Sequence, residues 1–190
     1  MQDFSCRLGN EDFKKWVDSE LNGYAKIEDL PDYRILNVNS KGHFAGPFGI
    51  GLKNADIPMI CLPEEYRESY SHSYLMQQIS AYISLINKTK SGIGGLQEPW
   101  SPDFVAFIGN KIYESMNCMS AWKVIPHSAL VSLIEAVRNR ILSFVLEIES
   151  EAPDAGEAPI NSEPIPEAKV KQIFHTNIFG NVQNVAQGST

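Results

Sequence analysis

The longest regular pattern of apolar positions lies in residues 129–150. The apolar residues follow one another at steps of 4, 3, 4, 3 and 4, in the order Leu130, Ile134, Val137, Ile141, Phe144 and Ile148. This spacing places them on one side of an α-helix, along a seam about 33 Å long. Ser128 can cap the first turn, and further apolar residues widen the seam. We therefore predict a long amphipathic helix that packs into a globular core.

A shorter helix is predicted between Asn10 and Asn22. Asn10 can cap its first turn, and Gly23 suits the position after its last turn. The apolar positions of this segment form one stripe, made of Phe13, Trp16, Val17 and Leu21. A helix of this length is marginal alone in water, so the stripe must pack against another element. Similar patterns predict helices over residues 71–87 and from Pro102 onward.

Residues 33–62 change to strand-forming residues interrupted by glycine. They predict three strands, over residues 33–38, 43–50 and 57–62, with a turn at residues 40–42. Residues 119–125 predict a further strand. The fold class that follows is α+β, a small antiparallel sheet packed by several helices that include the long C-terminal helix.

The composition changes after residue 150, and we divide the chain accordingly into 1–150, 151–168 and 169–190. Residues 151–168 contain five acidic residues, four prolines and no basic residue, which is typical of an extended acidic linker. Residues 169–190 alternate apolar and polar residues and predict a short β-forming tail. This tail can pair with its own domain or with a partner, and its candidate contact residues are Phe174, Ile178, Phe179 and Val182. If it recruits a partner, deletion of residues 169–190 is expected to abolish association with little loss of stability.

Charge and composition exclude several functions. The 190 residues carry 16 basic and 23 acidic side chains, a net charge of -7, which argues against non-specific binding of nucleic acid. No segment is apolar enough to span a membrane. The three cysteines are widely spaced and the four histidines lie apart from other ligands, so we expect no disulfide framework, no metal and no cofactor. A reducing cytoplasm is the expected location.

Arg138, Asn139 and Arg140 form the most conspicuous polar group on the long helix. HEPN-type ribonucleases combine such an arginine with a histidine four to six positions later, whereas the next histidine here is His175. Without that general acid or base, the sequence favours a protein that is not an enzyme. Two interpretations stay open for the three residues, a functional patch and a solvated face in which Glu135 pairs with Arg138.

Several segments resemble the AbiTii family of bacterial abortive-infection systems. Residues 16–24 and 30–35 resemble its ELNGY and PeYR signature, residues 125–147 resemble its closing helix, and residues 177–189 are similar to the tail that often follows. The order and spacing of these segments carry the resemblance over most of the chain. Relatives usually have another helix before the first segment, so we expect the stripe of Phe13 and Trp16 to be exposed here and to favour association.

The resemblance implies a cytoplasmic component of phage resistance that kills or arrests the infected cell. We expect a toxic or growth-arresting protein that acts through a protein partner or self-association, with a phage-derived trigger. The first alternative is a nuclease that uses Arg138 and Arg140 with a histidine brought near in space. The second is a sensor or assembly module without toxicity.

Overall fold

The computed structural model describes residues 10–89, 95–153 and 165–180. The described residues belong to two compact units. The first unit takes its residues from the segments 1–32, 76–84 and 132–190, and the second from 33–75 and 85–131. The fold class is α+β with two small antiparallel sheets, which confirms the predicted class.

Six α-helices and six strands cover most of the described residues. The helices are α1 (Glu11–Asn22), α2 (Glu64–Ser71), α3 (Ile79–Thr89), α4 (Pro102–Ile108), α5 (His127–Glu151) and α6 (Glu167–Ile178). The strands are β1 (Ile35–Asn37), β2 (Asn39–Ala45), β3 (Gly51–Ile57), β4 (His72–Tyr74), β5 (Leu96–Pro99) and β6 (Asn117–Ile125). Among these helices, none combines the length and the apolar character that a membrane span requires.

The core of the first unit contains three phenylalanine rings, which we call the aromatic cluster. They are Phe13 of α1, Phe144 of α5 and Phe174 of α6, and all three are buried. The ring centroid of Phe13 lies 4.4 Å from that of Phe144 and 6.0 Å from that of Phe174. Trp16 is also buried, so the expectation of an exposed stripe on α1 is wrong. Rings from α5 and α6 pack against Phe13 of that stripe.

Helix α6 stands where the sequence predicted a β-forming tail. That prediction is wrong for residues 169–178, because they are helical and bury Val170, Ile173, Phe174 and Ile178. The mixture of apolar and polar residues that suggested a strand also fits helical steps of three and four. Packing against the aromatic cluster favours the helix, because it buries all four side chains on one side. Val182 and the rest of the tail lie outside the described residues, as do residues 154–164 of the predicted linker.

The larger sheet belongs to the second unit and has the strand order β3-β2-β6-β5, with antiparallel neighbours. Strand β2 contains Gly42, where the sequence predicted a turn. A Cβ atom at Gly42 would lie 2.8 Å from the backbone oxygen of Ser120 on β6. Glycine is therefore required here by the close approach of two strands, and the predicted turn at residues 40–42 is wrong. The hairpin turn instead joins β2 to β3 through residues 46–50.

A two-stranded sheet, formed by β1 and β4, accompanies the larger sheet in the second unit. Glu98 of β5 connects the two sheets. Its carboxylate accepts a hydrogen bond of 2.6 Å from Ser73 Oγ of β4 and one of 2.8 Å from Lys123 Nζ of β6. The carboxylate of Glu98 thus compensates the charge of the buried Lys123, and both of its oxygens accept hydrogen bonds. This group of three side chains is therefore structural. The apolar core beside the sheet consists of Phe44, Ile57, Leu62, Trp100, Phe104, Val105, Ile108, Cys118 and Ala121.

Candidate functional site

The predicted patch on α5 divides into side chains with different environments. Arg138 is exposed and pairs with Glu135, with 2.9 Å between Nη1 and Oε1. Asn139 is exposed as well. Arg140 instead donates from Nε to the backbone oxygen of Ile178 at 2.9 Å and from Nη1 to the backbone oxygen of Ala136. Arg140 therefore attaches the end of α6 to α5, and the two arginines bind different groups.

The predicted contact residues of the tail also differ in accessibility. Phe174 and Ile178 are buried within the chain, whereas Phe179 keeps 47% of its surface exposed. Phe179 follows the last residue of α6 and lies beside His175, with ring centroids 5.8 Å apart. Of the predicted contact residues in the described part of the chain, Phe179 is therefore the one best placed to reach another molecule.

Phe179 lines a cavity of about 590 Å³ in the first unit, which we call the α1–α6 groove. One wall is a face of α1 and the residues that follow it, and the other wall is a face of α6. The lining residues are Asp12, Lys15, Trp16, Ser19, Gly23, Tyr24, Ala25, Asp29, Lys171, Phe174, His175 and Phe179. Spacing along α1 explains this wall, since positions 12, 15, 16 and 19 share one helical face.

Asp12 of α1 faces two side chains of α6 across the groove. Its Oδ2 lies 3.3 Å from Lys171 Nζ and 3.8 Å from His175 Nε2, both on α6. All three side chains are about half exposed, so these pairs contribute little to the free energy of folding. The carboxylate of Asp12 on α1 is therefore the acidic neighbour of His175.

Lys15 and Asp29 are the charged lining residues that lack such a partner. Among the described residues, neither side chain forms an ion pair or a hydrogen bond. Tyr24 lies between them in sequence and donates from its hydroxyl to Glu20 at 2.8 Å. The groove therefore offers one available cation, one available anion and the exposed ring of Phe179.

This combination suits a segment of protein better than a nucleic acid. A peptide supplies both charges and an apolar side chain, whereas nucleic acid would bring phosphates next to Asp12 and Asp29. Sequence analysis did not find Lys15 or Asp29, because their common cavity depends on the position of α6. Glu20, which is also on α1, is buried and accepts a hydrogen bond from the Tyr24 hydroxyl.

Cys118 and Tyr70 of the second unit have shifted pKa values. Burial raises the pKa of the Cys118 thiol. Burial, with a smaller effect from neighbouring Tyr66, raises the pKa of the Tyr70 phenol. Both residues belong to or pack against the apolar core of that unit, so the shifts reflect its low polarity. Within residues 10–89, 95–153 and 165–180, no three His, Cys, Asp or Glu side chains converge as metal ligands would.

Comparison with known protein families gives a match over most of the chain. The sequence model of the AbiTii family matches residues 4–174 of the 190 residues. No curated protein and no solved structure matches the chain. The matched region includes α1, the complete second unit and most of α6, so it contains nearly all of the α1–α6 groove.

Proposed function

The chain belongs to the AbiTii family, and on that premise we propose that it is a growth-arresting component of an abortive-infection system that acts by binding a protein. The family connects the chain to bacterial defence against phage. The proposal adds the mode of action, the binding of a protein segment in the α1–α6 groove. We propose the cytoplasm as its location, since Cys61 and Cys118 are both free thiols.

The observation that carries the proposal is the lining of the groove. Lys15 and Asp29 are available for charged groups of opposite sign, and Phe179 offers an exposed aromatic surface. Exposed aromatic residues surrounded by polar groups are typical of protein-binding sites. We propose a phage protein as the source of the segment, because abortive infection responds to the arrival of phage.

Charge reversal in the groove tests the proposal. Cells that carry the chain with its native neighbouring genes are infected with a panel of phages, and plating efficiency is measured. Lys15→Glu and Asp29→Lys are expected to lose protection, because each places a repelling charge opposite the bound segment. Lys14→Glu and Glu28→Lys are the matched controls, since these exposed neighbours do not line the groove. The controls are expected to protect like the wild type.

Each outcome bears on a different alternative. Equal protection by all four variants would show that the groove is not the binding site. Degraded cellular RNA or DNA during infection, together with loss of protection in Arg138→Ala, would favour the nuclease alternative. An oligomeric wild-type protein that Lys15→Glu converts to a monomer would identify a second copy of the chain as the occupant of the groove.

A further inference from the structure

One face of α5 carries an exposed apolar surface between two charged positions. We call it the α5 stripe, and it consists of Glu135, Arg138, Leu142, Val145, Leu146 and Glu149. Steps of three and four residues place these positions along one side of the helix. Leu142 and Leu146 are 53% and 54% exposed, and Val145 is half-buried. The α5 stripe therefore has an apolar centre, with Arg138 before it along the helix and Glu149 after it.

Helix α6 packs on the opposite side of α5. Its contacts go to Arg140, Glu147 and Glu151, which lie about 140° to 180° around the helix axis from Leu142. Asn177 donates to Glu147 Oε2 at 2.6 Å, and Lys169 Nζ lies 3.1 Å from Glu151 Oε1. The packing of α6 therefore leaves the α5 stripe accessible to another molecule.

The α5 stripe is complementary to itself when two copies run antiparallel. Positions 138, 142, 145 and 149 follow one another at steps of 4, 3 and 4, a series that is the same in both directions. An antiparallel second copy therefore places Leu142 opposite Val145, and Arg138 opposite Glu149. A twofold axis repeats each contact, so two pairs of opposite charge lie on either side of one apolar centre. Exposed leucines alone need no explanation, but this arrangement matches a second copy of the same helix.

Both charges are available for such a contact. Glu135 occupies Nη1 of Arg138 at 2.9 Å, and the Nε and Nη2 donors of this guanidinium remain for a second carboxylate. Among the described residues, Glu149 forms no ion pair and no hydrogen bond. A parallel second copy would instead bring each charge next to its own equivalent. The charges of the α5 stripe therefore favour the antiparallel orientation.

We propose that the α5 stripe is the interface of a homodimer, in which the α5 helices of two copies pack antiparallel about a twofold axis. The apolar centre provides the driving force, because Leu142 and Leu146 leave water when the helices pack. The flanking charges set the orientation and the register. This proposal goes beyond the proposed function and does not rest on it, since the dimer requires neither phage nor the α1–α6 groove.

Charge exchange between two positions tests the interface. Sedimentation velocity over a concentration series measures the mass of the full chain, and we expect a dimer for the wild type. Arg138→Glu and Glu149→Arg each create two like-charge contacts and are expected to raise the dissociation constant at least about tenfold. The double variant restores both pairs of opposite charge and is expected to dimerise like the wild type. Lys14→Glu is the control, because it reverses an exposed cation of α1 and is expected to keep the dimer.

The double variant separates the interface from an effect within one chain. Positions 138 and 149 are about 16 Å apart along α5, so neither substitution can compensate for the other within one helix. A mixture of Arg138→Glu chains and Glu149→Arg chains is a second test, because their heterodimer again has both pairs of opposite charge. We expect this mixture to associate more tightly than either variant alone. A double variant as weak as the single variants, or a mixture no tighter than its components, would overturn the proposal.

Leu142→Ser tests the apolar centre of the interface. It removes an apolar side chain from both copies and is expected to raise the dissociation constant at least about tenfold. Leu21→Ser is the matched control, since Leu21 is 41% exposed and belongs to α1. This control is expected to keep the dimer, and circular dichroism verifies that both variants are folded. A wild type that is monomeric at about 100 μM, or a Leu142→Ser variant that dimerises like the wild type, would contradict the proposed interface.

Failure of this proposal is distinguishable from failure of the proposed function. A dimer that Lys15→Glu dissociates and Arg138→Glu does not would place the contact in the α1–α6 groove and overturn the α5 interface. Conversely, a dimer that Arg138→Glu dissociates would support the α5 interface, even if Lys15→Glu and Asp29→Lys protect against phage like the wild type. In that case only the groove would lose its proposed role.

Discussion

The aromatic cluster of the first unit and the turn between β2 and β3 in the second, residues 46–50, which we call the hairpin tip, use the same residue type in opposite ways. Phe13, Phe144 and Phe174 each bury nearly their whole surface, whereas Phe48 buries none. The buried rings come from three helices whose backbones are regular, and the exposed ring stands on a residue with a φ of 58°. The cluster is therefore explained by folding alone. The backbone conformation of Phe48 instead costs folding free energy that burial of its ring does not offset.

The largest expected effect concerns the attachment of α6. Phe174→Ala removes a buried ring from the aromatic cluster and is expected to lower the free energy of unfolding by about 3–5 kcal/mol. Phe48→Ala is the matched change of an exposed ring and is expected to stay within about 0.5 kcal/mol of the wild type. Chemical denaturation followed by circular dichroism measures both values. Equal losses for the two variants would remove the distinction between cluster and tip.

Deletion of residues 169–190 extends this test. It removes Val170, Ile173, Phe174 and Ile178, all of which are buried. A loss on the order of the entire stability of a typical domain, about 5–15 kcal/mol, is expected. The sequence alone predicted little loss, because it treated this segment as a separate tail. A truncated chain with wild-type stability would show that α6 is dispensable for the first unit.

The sequence predicted the elements whose signals are local. Helix α5 covers the segment in which the sequence predicted the apolar seam. Four of the six seam residues are buried, namely Leu130, Val137, Phe144 and Ile148. Helix α1 begins after Asn10, whose side chain accepts a hydrogen bond from Phe13 N–H as a cap does. Capping and helical spacing depend on residues within one or two turns, so they can be recognised without the rest of the fold.

Elements that depend on distant partners were predicted less well. Gly42 was assigned to a turn because its close contact with Ser120 on β6 has no local signal. The segment of α6 lacks a side-chain cap and packs on helices far away in sequence. Its alternation of apolar and polar residues was therefore interpreted as a strand rather than as a helix. The α1–α6 groove could not be predicted for the same reason, since Lys15 and Lys171 line one cavity only when α6 is packed beside α1. Phe179 was nevertheless among the predicted contact residues.

An effect of middle size distinguishes the two arginines of α5. Arg140→Ala removes a hydrogen bond from a charged group to the buried Ile178 oxygen and is expected to cost about 1–2 kcal/mol. Arg138→Ala breaks an exposed pair with Glu135 and is expected to cost about 0.2–0.5 kcal/mol. Arg140→Lys should lower the free energy of unfolding by an intermediate amount, because the lysine ammonium cannot reproduce the planar set of guanidinium donors. The free energy of unfolding of the three variants gives the order, and a larger loss for Arg138→Ala would contradict the attachment of α6 by Arg140.

The smallest expected effect tests whether the apolar core of the second unit excludes water as fully as the aromatic cluster of the first unit. Burial raises the pKa of the Cys118 thiol, so the folded chain keeps this proton at pH values where the unfolded chain has lost it. The stabilisation is therefore fully present below the ordinary thiol pKa of about 8.5 and is lost as pH rises through the folded value. The free energy of unfolding of the wild type should fall with pH above this range, and Cys118→Ala should flatten that fall.

Tyr70→Phe provides the comparison for this last effect. The pKa of its phenol is also raised by burial, but from an ordinary value of about 10. Tyr70→Phe should therefore change the pH dependence of the free energy of unfolding only at higher pH than Cys118→Ala does. Two separate windows would indicate a core that excludes water at both residues. If neither substitution changed the pH dependence of the free energy of unfolding, water would have to reach this core. The core of the second unit would then be more hydrated than the aromatic cluster of the first unit.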